Sequence, residues 1–179
     1  PLANPISREL GIMRYEMLFS GLEAIRHNIN HKTPDLKIFE IGKVYKRRCD
    51  AKEKDVRQYD EKRLLGMWLT GLYYPLRWNR KEAQSDFYHL KGHVEALMEK
   101  SGIHSDRQEE NKEDIFEYGM DYYCGNEYLY TIGRVKTKLL KEDWDIAQAV
   151  YHARIDFDKM GRMYNAHKPA FKDLPRFPE

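Results

Sequence analysis

FEYGMDYYCGNEYLYTIGRV, residues Phe116 to Val135, is the stretch whose reading decides the fold. Its arms, Phe116 to Cys124 and Tyr128 to Val135, are rich in Tyr, Ile and Val. They flank Gly125-Asn126, so the stretch reads as an antiparallel hairpin closed by a tight turn. Downstream, Lys138 to Asp145 is polar and reads as irregular, whereas Ala149 to Asp156 alternates in the period-two pattern of a strand. Asp158 is placed to cap a short helix through Met160, Met163 and Tyr164. Lys168-Pro169, Pro175 and Pro178 then read as a linker.

Upstream of the hairpin, Asp86 is a good N-cap for a helix carrying Phe87, Leu90, Val94 and Leu97 on one face, closed by Gly102. Tyr74-Pro75 opens the loop that leads to it. Leu64 to Leu72 is apolar on both faces, as a central strand is. Lys46 to Lys62 is mostly charged and reads as a long solvated loop. Leu36 to Tyr45 reads as a strand, and Leu18, Leu22, Ile25 and Ile29 recur at helical spacing before it. Strands joined by short turns and interrupted by two main helices predict an α+β fold with a mainly antiparallel sheet flanked by helices. No Gly-rich phosphate loop is present.

At 179 residues the chain has the length of one domain and can bury a core. Lys and Arg number 31 against 29 Asp and Glu. The resulting charge of +2 supplies no general field for a polyanion, so any RNA contact has to be local. The two cysteines, Cys49 and Cys124, form no CxxC pair, which disfavours a zinc ribbon or disulfide scaffold and fits a reducing cytoplasm. No apolar run reaches the roughly 20 residues of a membrane span. The ends, Pro1 and the LPRFPE stretch from Leu174 to Glu179, read as those of a piece of a longer polypeptide.

Few groups suggest chemistry by themselves. His27 with His31 and His89 with His93 stand four apart, a spacing at which two imidazoles can share a metal, but neither pair has a third ligand at a suggestive distance, so no metal is expected. Asp156 with Asp158, and Glu109, Glu110 and Glu113, read as solvated carboxylates rather than an acid/base pair. Lys43, Lys46, Arg47 and Arg48 form a basic run that could contact RNA phosphates. Cys49 and Cys124 have no local nucleophile signature.

A resemblance supplies the function. LANPISRELGIMRYEMLFSGLEAIRHN (Leu2 to Asn28) and IFEIGKVY (Ile38 to Tyr45) resemble motifs of the bacterial phenylalanyl-tRNA synthetase β chain. DFYHLKGHVEAL (Asp86 to Leu97) and TIGRVKTKLLKEDWDI (Thr131 to Ile146) are also similar to that family, in the same order. The resemblance implies a class II aminoacyl-tRNA synthetase-like module over residues 1–167, with 168–179 leading to a ferredoxin-like anticodon-binding domain. It also implies a catalytically silent relative of the α chain. Of the class II motif Phe-Arg-x-Glu, whose Arg grips the ATP α-phosphate, the matching positions are Tyr45, Lys46, Arg47 and Arg48, so the acid has become a base. The second ATP motif, a Gly-rich strand ending in Glu-Arg, falls on QAVYHARID (Gln148 to Asp156), which has neither. Arg154 stands there where the family often has Glu.

The resemblance therefore implies a structural module without catalytic residues, packed on the α subunit in an (αβ)2 phenylalanine-tRNA ligase that aminoacylates tRNA(Phe). ATP and Mg²⁺ serve the whole enzyme, and the module needs no cofactor. A possible RNA contact falls on Lys46, Arg47 and Arg48. The family's first helix and strand of the module would precede Pro1, which predicts an exposed sheet edge or an incomplete α-subunit interface. The alternatives are a free-standing paralogue that binds RNA or a small molecule, and a residual enzyme that presents Lys46 or Arg47 to a phosphate.

Overall fold

A computed structural model describes residues 13–47 and 59–166. In chain order the elements are α1 (Leu18–Asn30), β1 (Leu36–Arg47), β2 (Tyr59–Thr70), β3 (Leu72–Tyr74), β4 (Ala83–Gln84), α2 (Phe87–Lys100), β5 (Arg107–Glu110), β6 (Phe116–Cys124), β7 (Glu127–Val135), α3 (Thr137–Trp144), β8 (Val150–Asp156) and α4 (Phe157–Ala166). Six strands form one fully antiparallel sheet in the order β1-β2-β8-β7-β6-β5, and β3 and β4 pair separately. The expected α+β class and antiparallel hairpin are present.

The sheet is the middle of three layers. Strands buried at successive positions must be covered on both faces, as β2 is from Leu64 to Thr70 and β8 from Val150 to Ala153. On one face Leu65, Leu69, Tyr130, Ile132, Tyr151, Ala153 and Ile155 pack against Leu90, Val94 and Met98 of α2 and against α4. On the other, Val44, Leu64, Trp68 and Val150 pack against Leu18, Leu22 and Ile25 of α1 and Leu140 of α3.

Local chemistry sets the helix ends. The Asp86 carboxylate accepts the His89 backbone N–H at 2.7 Å, which satisfies a donor the first turn leaves free. After α2, Gly102 takes φ +66°, its N–H donates to the Glu99 carbonyl and that of Ile103 to Met98. A buried Ile103 completes this Schellman-type stop.

Four local expectations are corrected. Lys138 to Asp145 is not irregular: Lys138 to Trp144 lie within α3 and Asp145 ends it, the helix burying Leu140 and stacking Trp144 on Phe19 at 6.0 Å. Asp158 does not cap the last helix. The Asp156 carboxylate accepts the Lys159 N–H at 2.8 Å, and Asp158 instead binds the Arg63 backbone N–H at 2.8 Å and its Nε at 2.7 Å. The charged segment is strand at both ends, because Lys46 and Arg47 pair with Asp60 and Tyr59. Finally, the loop after Tyr74 is in part a small hairpin, and Arg107–Glu110 forms an exposed edge strand. Arg48, Cys49 and residues 167–179 lie outside the described residues.

At the other edge, β1 pairs among the described strands with β2 alone, and its Phe39 and Ile41 are 70% and 49% exposed. The Tyr45 N–H of this strand donates to the Arg14 carbonyl at 2.8 Å.

Candidate functional site

The sheet face beneath α1 carries two side-chain rows that run across the strands. In the first, Trp68 of β2 lies opposite His152 of β8, which lies opposite Gly133 of β7. Gly133 leaves a notch, and the Phe116 ring fills it: a Cβ built on Gly133 would stand 2.4 Å from that ring. The rings of Trp68 and His152 stack at 4.9 Å, and those of His152 and Phe116 at 6.4 Å. Gly21 on α1 lets the helix come down on the indole, since a Cβ there would meet Trp68 Cε2 at 2.0 Å. An aromatic layer therefore occupies the face, with Trp68 2%, His152 1% and Phe116 5% exposed.

His152 is held neutral. Its Nδ1 lies 3.2 Å from the Met67 carbonyl, so that nitrogen is the protonated donor. Burial, and secondarily the charge of Arg154, push its pKa down to about 3, against a weaker upward pull from the Met67 carbonyl. The unfolded chain takes up a proton here below its ordinary value of 6.5, and the folded chain does not until about 3. Stability due to this group therefore falls as pH drops through that window, by at most about 1.4 kcal/mol per pH unit. Urea midpoints taken near pH 7 and near pH 5 are expected to fall less for His152→Phe than for the parent. His93, whose pKa burial also lowers, contributes the same part in both proteins.

The second row is polar. Glu40, Gly66, Arg154, Thr131, Asp121 and Glu109 stand opposite one another from β1 to β5. Arg154 Nη1 contacts Glu16 at 2.6 Å and its Nη2 contacts Glu113 at 2.5 Å. Burial opposes its charge, but Tyr128, Glu113 and Glu16 outweigh burial and raise its pKa. Asn111 Nδ2 and the Thr131 hydroxyl donate to Asp121. Each charge in this row is answered within the fold.

The positions singled out from sequence are not brought together. Tyr45, Lys46 and Arg47 end β1, with Lys46 and Arg47 exposed, whereas Arg154 lies in the row of Glu40. Six residues of strand separate Glu40 from Lys46, about 20 Å. Gln148, at the start of the second degenerate motif, donates to the Pro34 carbonyl at 2.7 Å and to Thr70 Oγ1 at 2.8 Å.

Two recognised motifs, by contrast, meet at one ion pair. Arg14 Nη1 pairs with Glu40 at 2.6 Å, and its guanidinium occupies the space a Cβ on Gly42 would need, 1.9 Å away. The Met-Arg of the first motif and the Glu-Ile-Gly of the second are its two sides.

The histidine pairs find other partners. His31 Nδ1 lies 2.8 Å from the His27 carbonyl, both rings being exposed. His89 stacks on Tyr73 at 3.8 Å, and His93 Nε2 lies 3.1 Å from the Tyr73 hydroxyl. Among the described residues no three His, Cys, Asp or Glu side chains converge on a point where a metal would bind. No described helix is long and apolar enough to cross a membrane. Sequence reasoning missed the Trp68–His152–Phe116 layer, whose only sequence signal is glycines at Gly21, Gly66 and Gly133 amid apolar segments.

Comparison with known proteins gives the family. The profile described as the phenylalanyl tRNA synthetase beta chain CLM domain matches residues 1–157. The phenylalanine–tRNA ligase beta subunit of Bacteroides thetaiotaomicron is 35% identical over 99% of this chain, and that of Thermotoga maritima 30%. The chain spans about a fifth of these relatives, 22% and 21% of their length. Among solved structures, a pyrrolysyl tRNA synthetase from Desulfitobacterium hafniense superposes with a TM-score of 0.61 over 86% of this chain and 50% of its own, at 16% identity. That likeness concerns the fold alone, which is of the class II synthetase type. With most of its length matched by the family profile, the chain belongs to the phenylalanyl-tRNA synthetase β-chain family, as its CLM domain.

Proposed function

We propose that this chain is a non-catalytic structural module of a phenylalanine-tRNA ligase β subunit. In this reading it packs on the catalytic α subunit in an (αβ)2 cytoplasmic enzyme and supports aminoacylation of tRNA(Phe). Residues 1–167 form the module, and 168–179 lead toward an anticodon-binding domain. The observation that carries the reading is the match to the β-chain family over residues 1–157, and the aromatic layer of Trp68, His152 and Phe116, which packs the sheet face under α1, agrees with it. A class II site requires an Arg to grip the α-phosphate and an acid to orient the adenosine. At the matching positions Lys46 lacks the planar fork and Arg48 reverses the charge. The donors present do not suit Mg²⁺ either, since the carboxylates of the polar row are engaged, Glu40 by Arg14, Asp121 by Asn111 and Thr131, and Glu109 by Arg107. ATP and Mg²⁺ are therefore assigned to other parts of the enzyme.

The exposed edge strand with Phe39 and Ile41 supports a partner at that side. Phenylalanine-dependent exchange of pyrophosphate into ATP separates the scaffold from a residual enzyme. The purified chain is expected to show none, and ATP with Mg²⁺ is expected to give no saturable heat on titration. Exchange that disappears on Lys46→Ala would contradict the proposal.

A further inference from the structure

Between β3 and β4 the chain makes a second, smaller hairpin. The Arg77 N–H donates to the Arg80 carbonyl at 3.0 Å and the Arg80 N–H to the Arg77 carbonyl at 3.2 Å, so Trp78 and Asn79 are the two residues of a tight turn. Trp78 at its tip is 98% exposed. A large aromatic side chain held clear of the fold by a two-residue turn contributes nothing to the core. Its free ring face stands in the same turn as two cations, Arg77 and Arg80.

Beneath the turn is an open cavity of about 430 Å³ lined by Lys37, Tyr73, Tyr74, Pro75, Arg77, Asn79 and Arg80. Three of its walls are cations and none is a carboxylate. Lys37 Nζ sits 3.7 Å above the Tyr73 ring and donates to the Tyr73 carbonyl at 2.9 Å, while the Arg80 guanidinium lies 4.0 Å above the Tyr74 ring. The tyrosine faces orient these cations without neutralising them. Among the described residues, no carboxylate forms an ion pair with Lys37, Arg77 or Arg80. Arg14, Lys43, Arg63, Arg107 and Lys159, by comparison, each have an acidic partner.

We infer that this hairpin and Lys37 form a docking point for a single-stranded RNA segment, one phosphate entering the cup of Lys37, Arg77 and Arg80 while a neighbouring base stacks on Trp78. A nucleotide offers an anion and a flat ring from adjacent groups, which is the combination displayed here. An acidic peptide would satisfy the cations and leave the indole without a flat partner. The inference rests on the proposed role in tRNA(Phe) aminoacylation for the source of the RNA. It also moves the RNA contact away from Lys46 and Arg47, whose strand end has no exposed indole beside it.

The test is a fluorescence titration of the full chain with a short single-stranded RNA across a salt series. Binding is expected to quench Trp78, and Trp78→Ala is expected to weaken it by roughly tenfold or more, the usual worth of one stacked base. Replacing Arg77 and Arg80 by Ala is expected to lower the slope of log K against log salt by about 0.7 for each phosphate that is no longer neutralised. Because Trp78 is solvent-exposed, its variant keeps the parent's urea midpoint, which separates lost binding from lost folding. No binding by the parent, equal binding by the variants, or a loss confined to Lys46→Ala and Arg47→Ala would overturn the inference. So would a Trp78→Ala variant that keeps RNA but no longer retains the α subunit, since the hairpin would then serve a protein partner. If the α subunit is retained while RNA is not bound, only this inference fails and the module reading stands.

Discussion

Trp68→Ala is expected to destabilise the fold by about 3–5 kcal/mol, read as a fall in the urea midpoint at neutral pH. The indole is 2% exposed and lies between α1 and the sheet, where Gly21 and Gly66 have given up side chains to admit it. Its removal leaves a cavity that no neighbouring side chain can close, because the glycines facing it have none. Trp78→Ala, the same substitution on a side chain 98% exposed, should change stability by no more than about 0.5 kcal/mol. A loss of less than about 1 kcal/mol at Trp68 would mean that α1 does not hold the indole against the sheet, and the filled-face account would lose its foundation.

Arg154→Met is the second large effect, with an expected cost of about 3–5 kcal/mol. The cost comes less from losing the two ion pairs than from what stays behind. Glu16, whose side chain is 14% exposed, would keep its charge with its cation gone, whereas Glu113, at 42%, can turn to water. Adding Glu16→Leu to Arg154→Met should therefore recover much of the loss, since an apolar pair of similar volume often replaces a buried ion pair at little cost. A double-mutant cycle by urea denaturation measures this coupling. If Arg154→Met alone were neutral, the row from Glu40 to Glu109 would be solvated rather than part of the interior.

Much of the scaffold is legible from local chemistry. Asp86 and Gly102 mark both ends of α2, and Gly125-Asn126 marks the turn between β6 and β7. What escapes is structure set by tertiary contact. The eight residues of α3 contain Leu139, Leu140 and Trp144 among charges, and their helix is recognisable only once Phe19 of α1 is seen stacked on Trp144. Asp156 and Asp158 are both plausible caps by sequence, and the choice depends on Arg63, far away in the chain, drawing Asp158 aside.

The candidate site divides in the same way. The degenerate positions Tyr45 to Arg48 and Arg154 can be marked from the family motifs. That Arg154 is buried with two acids, and lies far along the sheet from Lys46, depends on strand register, which no local pattern gives. The Trp68–His152–Phe116 layer is also non-local, since three strands each supply one ring.

Co-purification with the phenylalanyl-tRNA synthetase α subunit tests the central claim, a scaffold that works by packing on the catalytic chain. The α subunit should be retained by this chain, or by the chain extended upstream, and lost from the same protein carrying Phe39→Asp and Ile41→Lys. Those side chains are exposed, so the variant should fold as the parent does. Failure of every form to retain α, with RNA or nucleotide still bound by the chain alone, would contradict the scaffold and favour a free-standing binding module.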